Sequence, residues 1–282
     1  MEELHVTICS DLHLEFYHNL EDCVFLQKIL TVDPRSDTLI IAGDFGYPYG
    51  KKNEINKIYQ SVLTKFKERF KHIIYVAGNH EYYQTINMDL SIDYTDLWIK
   101  NICDQLGIHF LQKDSWIHPL GVEFVGCTLW TQISHEAYDR MNDSVYAVKS
   151  RYEYMGLHND HLGWLEQKLE NTTNPTIVVT HHLPSYKGIS PKFKDYENSG
   201  FATNLDHLFK NPVIGWISGH THEPASVEIN GIQLHINPIG YRGEKMIGKY
   251  SEKPFVFKYP TPTLIPTSIT ENDATYNHDY SI

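Results

Sequence analysis

No apolar stretch in this chain is long enough to cross a bilayer. Its first residues, MEELHVTICSD, carry acids where a secretory leader carries cations before an apolar run. Neither a membrane span nor a signal peptide is expected, and the reading is a cytoplasmic protein. Cysteine is scarce: Cys9, Cys23, Cys103 and Cys127 are scattered without paired spacing. They read as small buried hydrophobes in a reducing compartment rather than as a disulfide framework. Positive charge is also short, with 24 Lys and Arg against 35 Asp and Glu, a net charge of -11 with His neutral. A generic binder of long nucleic acid is usually basic, so that partner is not expected. A small phosphorylated substrate held by local positive charge is not excluded. There is no internal repeat.

What the chain does have is length and an ordinary globular composition. At 282 residues, 41% of them hydrophobic, it can bury a substantial core. Apolar runs rich in β-formers recur at His5–Cys9, Thr38–Ala42, His72–Ala77, Val122–Leu129, Thr176–Thr180, Val213–Ser218 and Ile232–Ile236. Each is bounded by Gly, Pro, Asp or Asn, as strands usually are. Helical periodicity falls on Asp22–Leu30, Asn53–Phe70, Asp93–Leu106 and His161–Leu169. Strand–helix alternation followed by strands with short connections predicts a layered α/β fold with mixed sheets. We read 1–258 as a single domain. Within it, 131–158 is rich in Tyr, Asp, Asn and Arg, and reads either as an insertion over a site or as a surface helix with amphipathic tyrosines. The Pro- and Thr-rich end, 259–282, reads as a tail laid on the surface or partly disordered.

The unusual feature is how the strands end. They run into Ser10–Asp11–Leu12–His13, Gly43–Asp44, Gly78–Asn79–His80–Glu81, Thr180–His181–His182 and Gly219–His220–Thr221–His222. A plain turn needs only Gly with Asn or Asp. In open α/β sheets, sites form beyond the carboxyl ends of strands, so five such ends can converge. In extended chain, residues two apart point the same way, which would aim Asp11 and His13 at one ion, and His220 and His222 likewise. Two Asp, one Asn and several His, with no thiolate, suit Mn, Fe, Zn or Ni rather than an all-oxygen Ca or Mg cage. They are too many for one zinc with an open position, and suit two ions sharing a carboxylate about 3.5–4 Å apart. Alone, D-x-H and GD are weak signals; GNHE and GHTH are stronger, and the five together are hard to explain as turns.

This ordered set resembles the calcineurin-like metallophosphoesterase superfamily. The resemblance runs from Asp11 to about Tyr241, and the segments SDLHLEF, GNHEYY, THHLPS and NPIGY resemble a small microbial branch of it. It implies a four-layer β-sandwich of two mixed sheets flanked by helices, and two divalent metal ions, manganese first among the candidates. By resemblance, Asp11, His13, Asp44 and His222 would hold one ion and Asp44, Asn79, His181 and His220 the other, with Asp44 bridging. His80 would face the leaving group as general acid or charge stabiliser, and Glu81 would orient His80. His182 would stand behind the ligands or on the substrate side. The segment after Asp44, FGYPYG, departs from the pattern in lacking a second acidic residue. The implied activity is hydrolysis of a small phosphodiester or phosphomonoester, with a nucleotide among the candidates, by a water activated between the ions. The tyrosines of 131–158 could stack a base. The alternatives are a catalytically silent scaffold or binding module of the same fold, and a zinc hydrolase of non-phosphorus substrates.

Overall fold

The computed structural model describes residues 1–50, 56–83, 88 and 90–260. Two sheets lie face to face. The first has the order β11-β1-β2-β3-β4, formed by β1 (Glu2–Cys9), β2 (Thr38–Ala42), β3 (His72–Val76), β4 (His109–Phe110) and β11 (Phe255–Tyr259). The second has the order β5-β6-β7-β8-β10-β9, formed by β5 (Asp114–Ile117), β6 (Glu123–Cys127), β7 (Thr176–Thr180), β8 (Val213–Ser218), β9 (Ala225–Ile229) and β10 (Ile232–Ile236). The inner strands of both sheets run parallel. The edge strands β11, β5 and β9 are antiparallel to their neighbours, which makes both sheets mixed.

Strands buried on both faces read as continuous apolar runs, because helices cover the outer faces. Val6, Ile8, Ile40 and Ile74 meet Phe124, Ile177, Val179 and Ile217 between the sheets. The alternate residues Leu39, Ile41 and Ile73 face outward. They pack on α1 (Phe25–Leu30), α2 (Lys57–Arg69) and α3 (Ile92–Leu106) in one cluster with Phe25, Ile29, Val62, Leu63, Phe66, Ile99 and Ile102. On the far side, Leu165 and Leu169 of α6 (Arg151–Asn171) cover Val125, Val178 and Trp216. Each such buried aliphatic or aromatic side chain contributes about 1.5–3 kcal/mol. All four cysteines are buried and free. Among the described residues, no helix is long and apolar enough to cross a membrane.

Three expectations need correction. Helix α6 starts at Arg151, ten residues before the expected start, because its buried stripe opens with Tyr154, His158 and His161 before reaching Leu165 and Leu169. Polar types on the core side hid the periodicity. Ser150 caps it, accepting from the Glu153 amide. The expected 131–158 segment therefore ends inside α6 and holds two short helices, α4 (His135–Arg140) and α5 (Asp143–Tyr146). The tail begins later than 259: Tyr259 belongs to β11, pairs with Glu2 and donates its hydroxyl to the Glu2 carboxylate. The rest of that segment, 261–282, lies outside the described residues, as do 53–55 of the expected second helix.

Candidate metal centre

Five parallel strands, β1, β2, β3, β7 and β8, end on the same side, and their next residues converge. The first group is Asp11, His13, Asp44 and His222, the second Asp44, His181 and His220; within each, the potential ligand atoms lie within 4.8 Å of one another. His13 Nε2 is 2.9 Å from His222 Nε2 and 3.8 Å from Asp44 Oδ2. His222 Nε2 is 3.5 Å from Asp11 Oδ1. In the second group His181 Nε2 lies 3.3 Å from Asp44 Oδ1, 2.9 Å from Asn79 Oδ1 and 3.1 Å from His220 Nδ1. The two oxygens of Asp44 thus face one group each. Asp11, His13, Asp44, Asn79, His181 and His220 are all buried.

The route to convergence differs from the extended-chain argument. Of the eight non-glycine residues with positive φ among the described residues, five are Asp11, His13, Asp44, His220 and His222. Asp11 and His13 share a target because both sit in left-handed backbone, not because they alternate along a strand. A non-glycine residue in that region costs about 1–3 kcal/mol when strained, and such residues gather at functional sites. Glycines make the approach close enough. Gly43 has φ 83°, and a side chain there would overlap the His181 ring; one on Gly78 would overlap the Asp44 carboxylate.

The tautomers decide what the clusters can hold. His13 Nδ1 is 3.2 Å from Glu15 Oε1, His181 Nδ1 2.9 Å from the Ala42 carbonyl, His220 Nε2 3.3 Å from the Gly200 carbonyl and His222 Nδ1 2.8 Å from Glu244 Oε2. Those partners accept, so in each ring that nitrogen carries the proton. The other nitrogen of all four rings presents a lone pair to the cluster. Asn79 is set likewise. Its amide nitrogen donates to Asp143 Oδ1 at 2.8 Å and to Tyr83 Oη at 3.0 Å, which turns Oδ1 inward. Lone pairs and carboxylates facing one another fit divalent cations. The carboxylates favour positive charge here: burial opposes a charge on His181, yet Asp44 and Asp11 push it up to about 9, so its Nε2 offers a lone pair to a cation in exchange for a proton. His220 is held well below the usual imidazole range by burial and its neighbours His182 and His181, which outweigh the opposing pull of Asp44.

His80 sits at the edge of these clusters. Its backbone amide donates to Asp44 Oδ1 at 2.9 Å, its ring stacks on Tyr83 at 4.0 Å, and Nε2 is 3.2 Å from Tyr241 Oη. The expected orienting role of Glu81 is corrected. The buried Glu81 carboxylate accepts from the amides of Asp44, Phe45 and Gly78 and from the Tyr75 hydroxyl, so it ties the β2 and β3 ends together. The acid beside His80 is Glu15, with Oε1 2.7 Å from His80 Nδ1. Glu15 Oε2 lies over Gly46, where a side chain would press on it. Sequence reading passed over Glu15, Asp143 and Tyr241. For Glu15 a signal existed, since FGYPYG lacks an acid and SDLHLEF supplies one two residues after His13. Asp143 gave none. Tyr241 stands in NPIGY, whose Asn237 side chain bonds the Ile8 and Ser251 carbonyls, while the Gly240 amide donates to the Asp11 carbonyl.

His182 is buried behind the clusters, with Nδ1 near the Thr128 carbonyl and its ring 4.3 Å from that of His220. The tyrosines of 131–158 do not form the base-stacking surface. Tyr138 and Tyr154 are in the core, Tyr152 is exposed, and Tyr146 is exposed with its ring 5.7 Å from that of Tyr83; none of the four lines the adjoining cavity, to which this segment gives Arg140, Met141 and Asn142.

Calcineurin-like phosphoesterases match residues 4–224 of the chain. Uncharacterized protein L509 of Acanthamoeba polyphaga mimivirus is 27% identical over 260 residues, 84% of this chain and 91% of that protein. A probable cyclic nucleotide phosphodiesterase of Psychrobacter sp. (strain PRwf-1) is 22% identical, covering 80% of this chain and 58% of that protein. The fold is shared with phosphopantetheinyl hydrolase from Mycobacterium tuberculosis, at a TM-score of 0.63 and 19% identity, covering 85% of this chain and 90% of that one.

Proposed function

Because this chain belongs to the calcineurin-like phosphoesterase family, we propose that it is a two-metal phosphoesterase acting on a small phosphodiester or phosphomonoester. The observation that carries this is the set of four imidazole lone pairs aimed at Asp11 and Asp44, each fixed by a protonated second nitrogen. Asp11, His13, Asp44 and His222 would hold one ion, and Asp44, Asn79, His181 and His220 the other. Manganese is the metal to try first.

Bound ions of this kind supply Lewis-acid polarisation of a phosphoryl oxygen and lower the pKa of water. The chain's own groups do the rest. Asp11 and Asp44 cancel two of four formal positive charges, leaving a locally positive site in an acidic protein, which draws in a phosphoryl group. His80, exposed to the cavity and held through Nδ1 by Glu15, presents Nε2 to the leaving oxygen, where it donates a proton or stabilises charge. Tyr241 Oη, 3.2 Å from that nitrogen, keeps the ring turned toward the cavity. Asp143 holds Asn79 from behind. Free, buried cysteines support a reducing, cytoplasmic location. A silent scaffold would gain nothing from five ligand-type residues in left-handed backbone, which disfavours that alternative.

The test is manganese-dependent hydrolysis of bis(4-nitrophenyl) phosphate beside 4-nitrophenyl phosphate, with Asp44→Asn as control. Turnover that disappears together with bound metal in the control is expected, and the rate ratio separates diester from monoester preference. Full turnover and metal content in Asp44→Asn would overturn the bridging role.

A further inference from the structure

The candidate centre forms one side of a cavity of about 590 Å³, a size suited to a small molecule. Another part of its lining comes from the 183–203 loop. This loop is built rather than loose. Leu183, Ile189, Ala202 and Ile236 form a small core of their own, with Phe201 packed against it. The Leu183 amide donates to the Phe201 carbonyl and the Thr203 amide to the Leu183 carbonyl. The Asn198 side chain donates to the Phe193 and Tyr196 carbonyls at 2.8 Å each, which fixes the turn that carries both rings. The loop is also tied to the 131–146 segment. Gln132 and Ser134 amides donate to the Thr203 and Ser199 hydroxyls, and Gly200 packs on Met141.

The loop presents apolar surface. Phe201 lies 5.0 Å from the His220 ring, so the apolar wall begins at the candidate centre itself. Phe193 and Tyr196, also in the lining, are 43% and 69% exposed. Aromatic side chains held in water by a pinned turn, beside a polar centre, have the character of a ligand surface. The charges point the same way. Among the described residues lining the cavity beyond the histidines of the candidate centre, Arg140 is the one basic side chain, and it pairs with Glu136 at 3.0 Å. The same lining carries Glu197 and Glu244. Of the loop's lysines, Lys187 and Lys192 are paired with Asp206 and Glu223, Lys192 also lying over the Phe193 ring, and none of Lys187, Lys192 and Lys194 is part of the lining. Beyond the candidate centre, little in this cavity would neutralise a second phosphate.

Resting on the phosphoesterase reading, we infer that the substrate is an ester of a single phosphoryl group whose organic part is apolar or aromatic and rests on Phe193, Tyr196, Phe201, Met141 and Ile189. Polyphosphates and esters with a further anionic group are selected against by Glu197 and Glu244. The aromatic turn is the specificity element.

Unreactive phosphonates separate this inference from catalysis. Binding of methylphosphonate, benzylphosphonate and 3-phosphonopropionate to the manganese-loaded full chain is measured by titration calorimetry. Benzylphosphonate is expected to bind roughly tenfold tighter than methylphosphonate, the effect of removing part of one aromatic ring from water. 3-Phosphonopropionate is expected to bind no tighter than methylphosphonate. In Phe193→Ala and in Tyr196→Ala the benzyl advantage should fall several-fold. Equal binding of the benzyl and methyl compounds would overturn the inference and leave the phosphoesterase reading standing. So would tighter binding of 3-phosphonopropionate, or a benzyl advantage undiminished in both variants. If none of the three binds, the phosphoesterase reading fails and takes this one with it.

Discussion

Glu15 and Glu81 are two buried carboxylates within reach of the same site, and replacing each by glutamine should have different consequences. Glu15 Oε1 is 2.7 Å from His80 Nδ1 and 3.2 Å from His13 Nδ1, and the side chain is 5% exposed. Glutamine is nearly isosteric and its carbonyl can still accept from His80. What is lost is the charge. A charge-assisted hydrogen bond is worth about 1.5–3 kcal/mol and a neutral one about 0.5–1.5. The difference, about 1–1.5 kcal/mol, is about tenfold in rate if the positive form of His80 matters in the transition state. The loss should grow as the leaving alcohol becomes poorer, because a better leaving group needs less help from a proton donor. Metal content should stay near that of the wild type, since His13 keeps an acceptor. Glu81→Gln should behave otherwise. That carboxylate receives three backbone amides and the Tyr75 hydroxyl. A glutamine NH₂ would face at least one of those donors, leaving buried N–H groups unsatisfied at about 1–3 kcal/mol each. The signature should be a lower melting temperature with little change in leaving-group dependence. The assay is a series of aryl phosphate esters of graded leaving-group pKa, run beside thermal unfolding and metal analysis. Wild-type rates across the series for Glu15→Gln would refute the coupling of Glu15 to His80. A steeper leaving-group dependence in Glu81→Gln alone would return the orienting role to Glu81.

Other outcomes follow from the same geometry. Asp143→Ala should free the Asn79 amide to turn over, weakening one metal site by about 10–100-fold while the other is kept; metal stoichiometry against free manganese checks this. Gly43→Ala should displace His181, because the new methyl overlaps its ring and φ 83° is strained for alanine; metal bound in the second group should be lost even if the chain folds. His161 is pushed down to about 3 by burial, with Lys113 adding to it, and its Nδ1 accepts from the Leu129 amide. The folded pKa lies below the unfolded value near 6.5, so the unfolded chain takes the proton first. Stability is then lost as pH falls below about 6.5, by about 1.4 kcal/mol per pH unit down to about 3. His161→Gln should remove that much from the slope of unfolding free energy between pH 6 and pH 4. An unchanged slope would mean that His161 is not buried as a neutral ring.

What could be read in the sequence, and what could not, divides along physical lines. The strands anticipated from the chain, such as Thr38–Ala42, Thr176–Thr180 and Val213–Ser218, are interior ones, whose two covered faces leave a continuous apolar run. The four that escaped, β4, β5, β9 and β11, are the edges of the two sheets, where exposed positions such as Asp114, Glu228 and Lys258 dilute the pattern. Helix α6 escaped in part for the converse reason, since Tyr154, His158 and His161 occupy core positions that periodicity assigns to aliphatics. At the site, residues of distinctive type at strand ends were legible: Asp11, His13, Asp44, Asn79, His181, His220 and His222 come together around the Asp44 carboxylate. The groups that hold them were not. Asp143 and Glu244 are common acids whose meaning lies in contacts across 64 and 22 residues of chain, and Glu15, hinted at only by the acid-free FGYPYG, reaches His80 across 65. The backbone was illegible too, because Asp and His do not announce a left-handed conformation as glycine does. A strand-end motif therefore names the atoms offered to a ligand. Which of their nitrogens carry protons, and so whether a cation is welcome, is settled by acceptors that only the fold brings near.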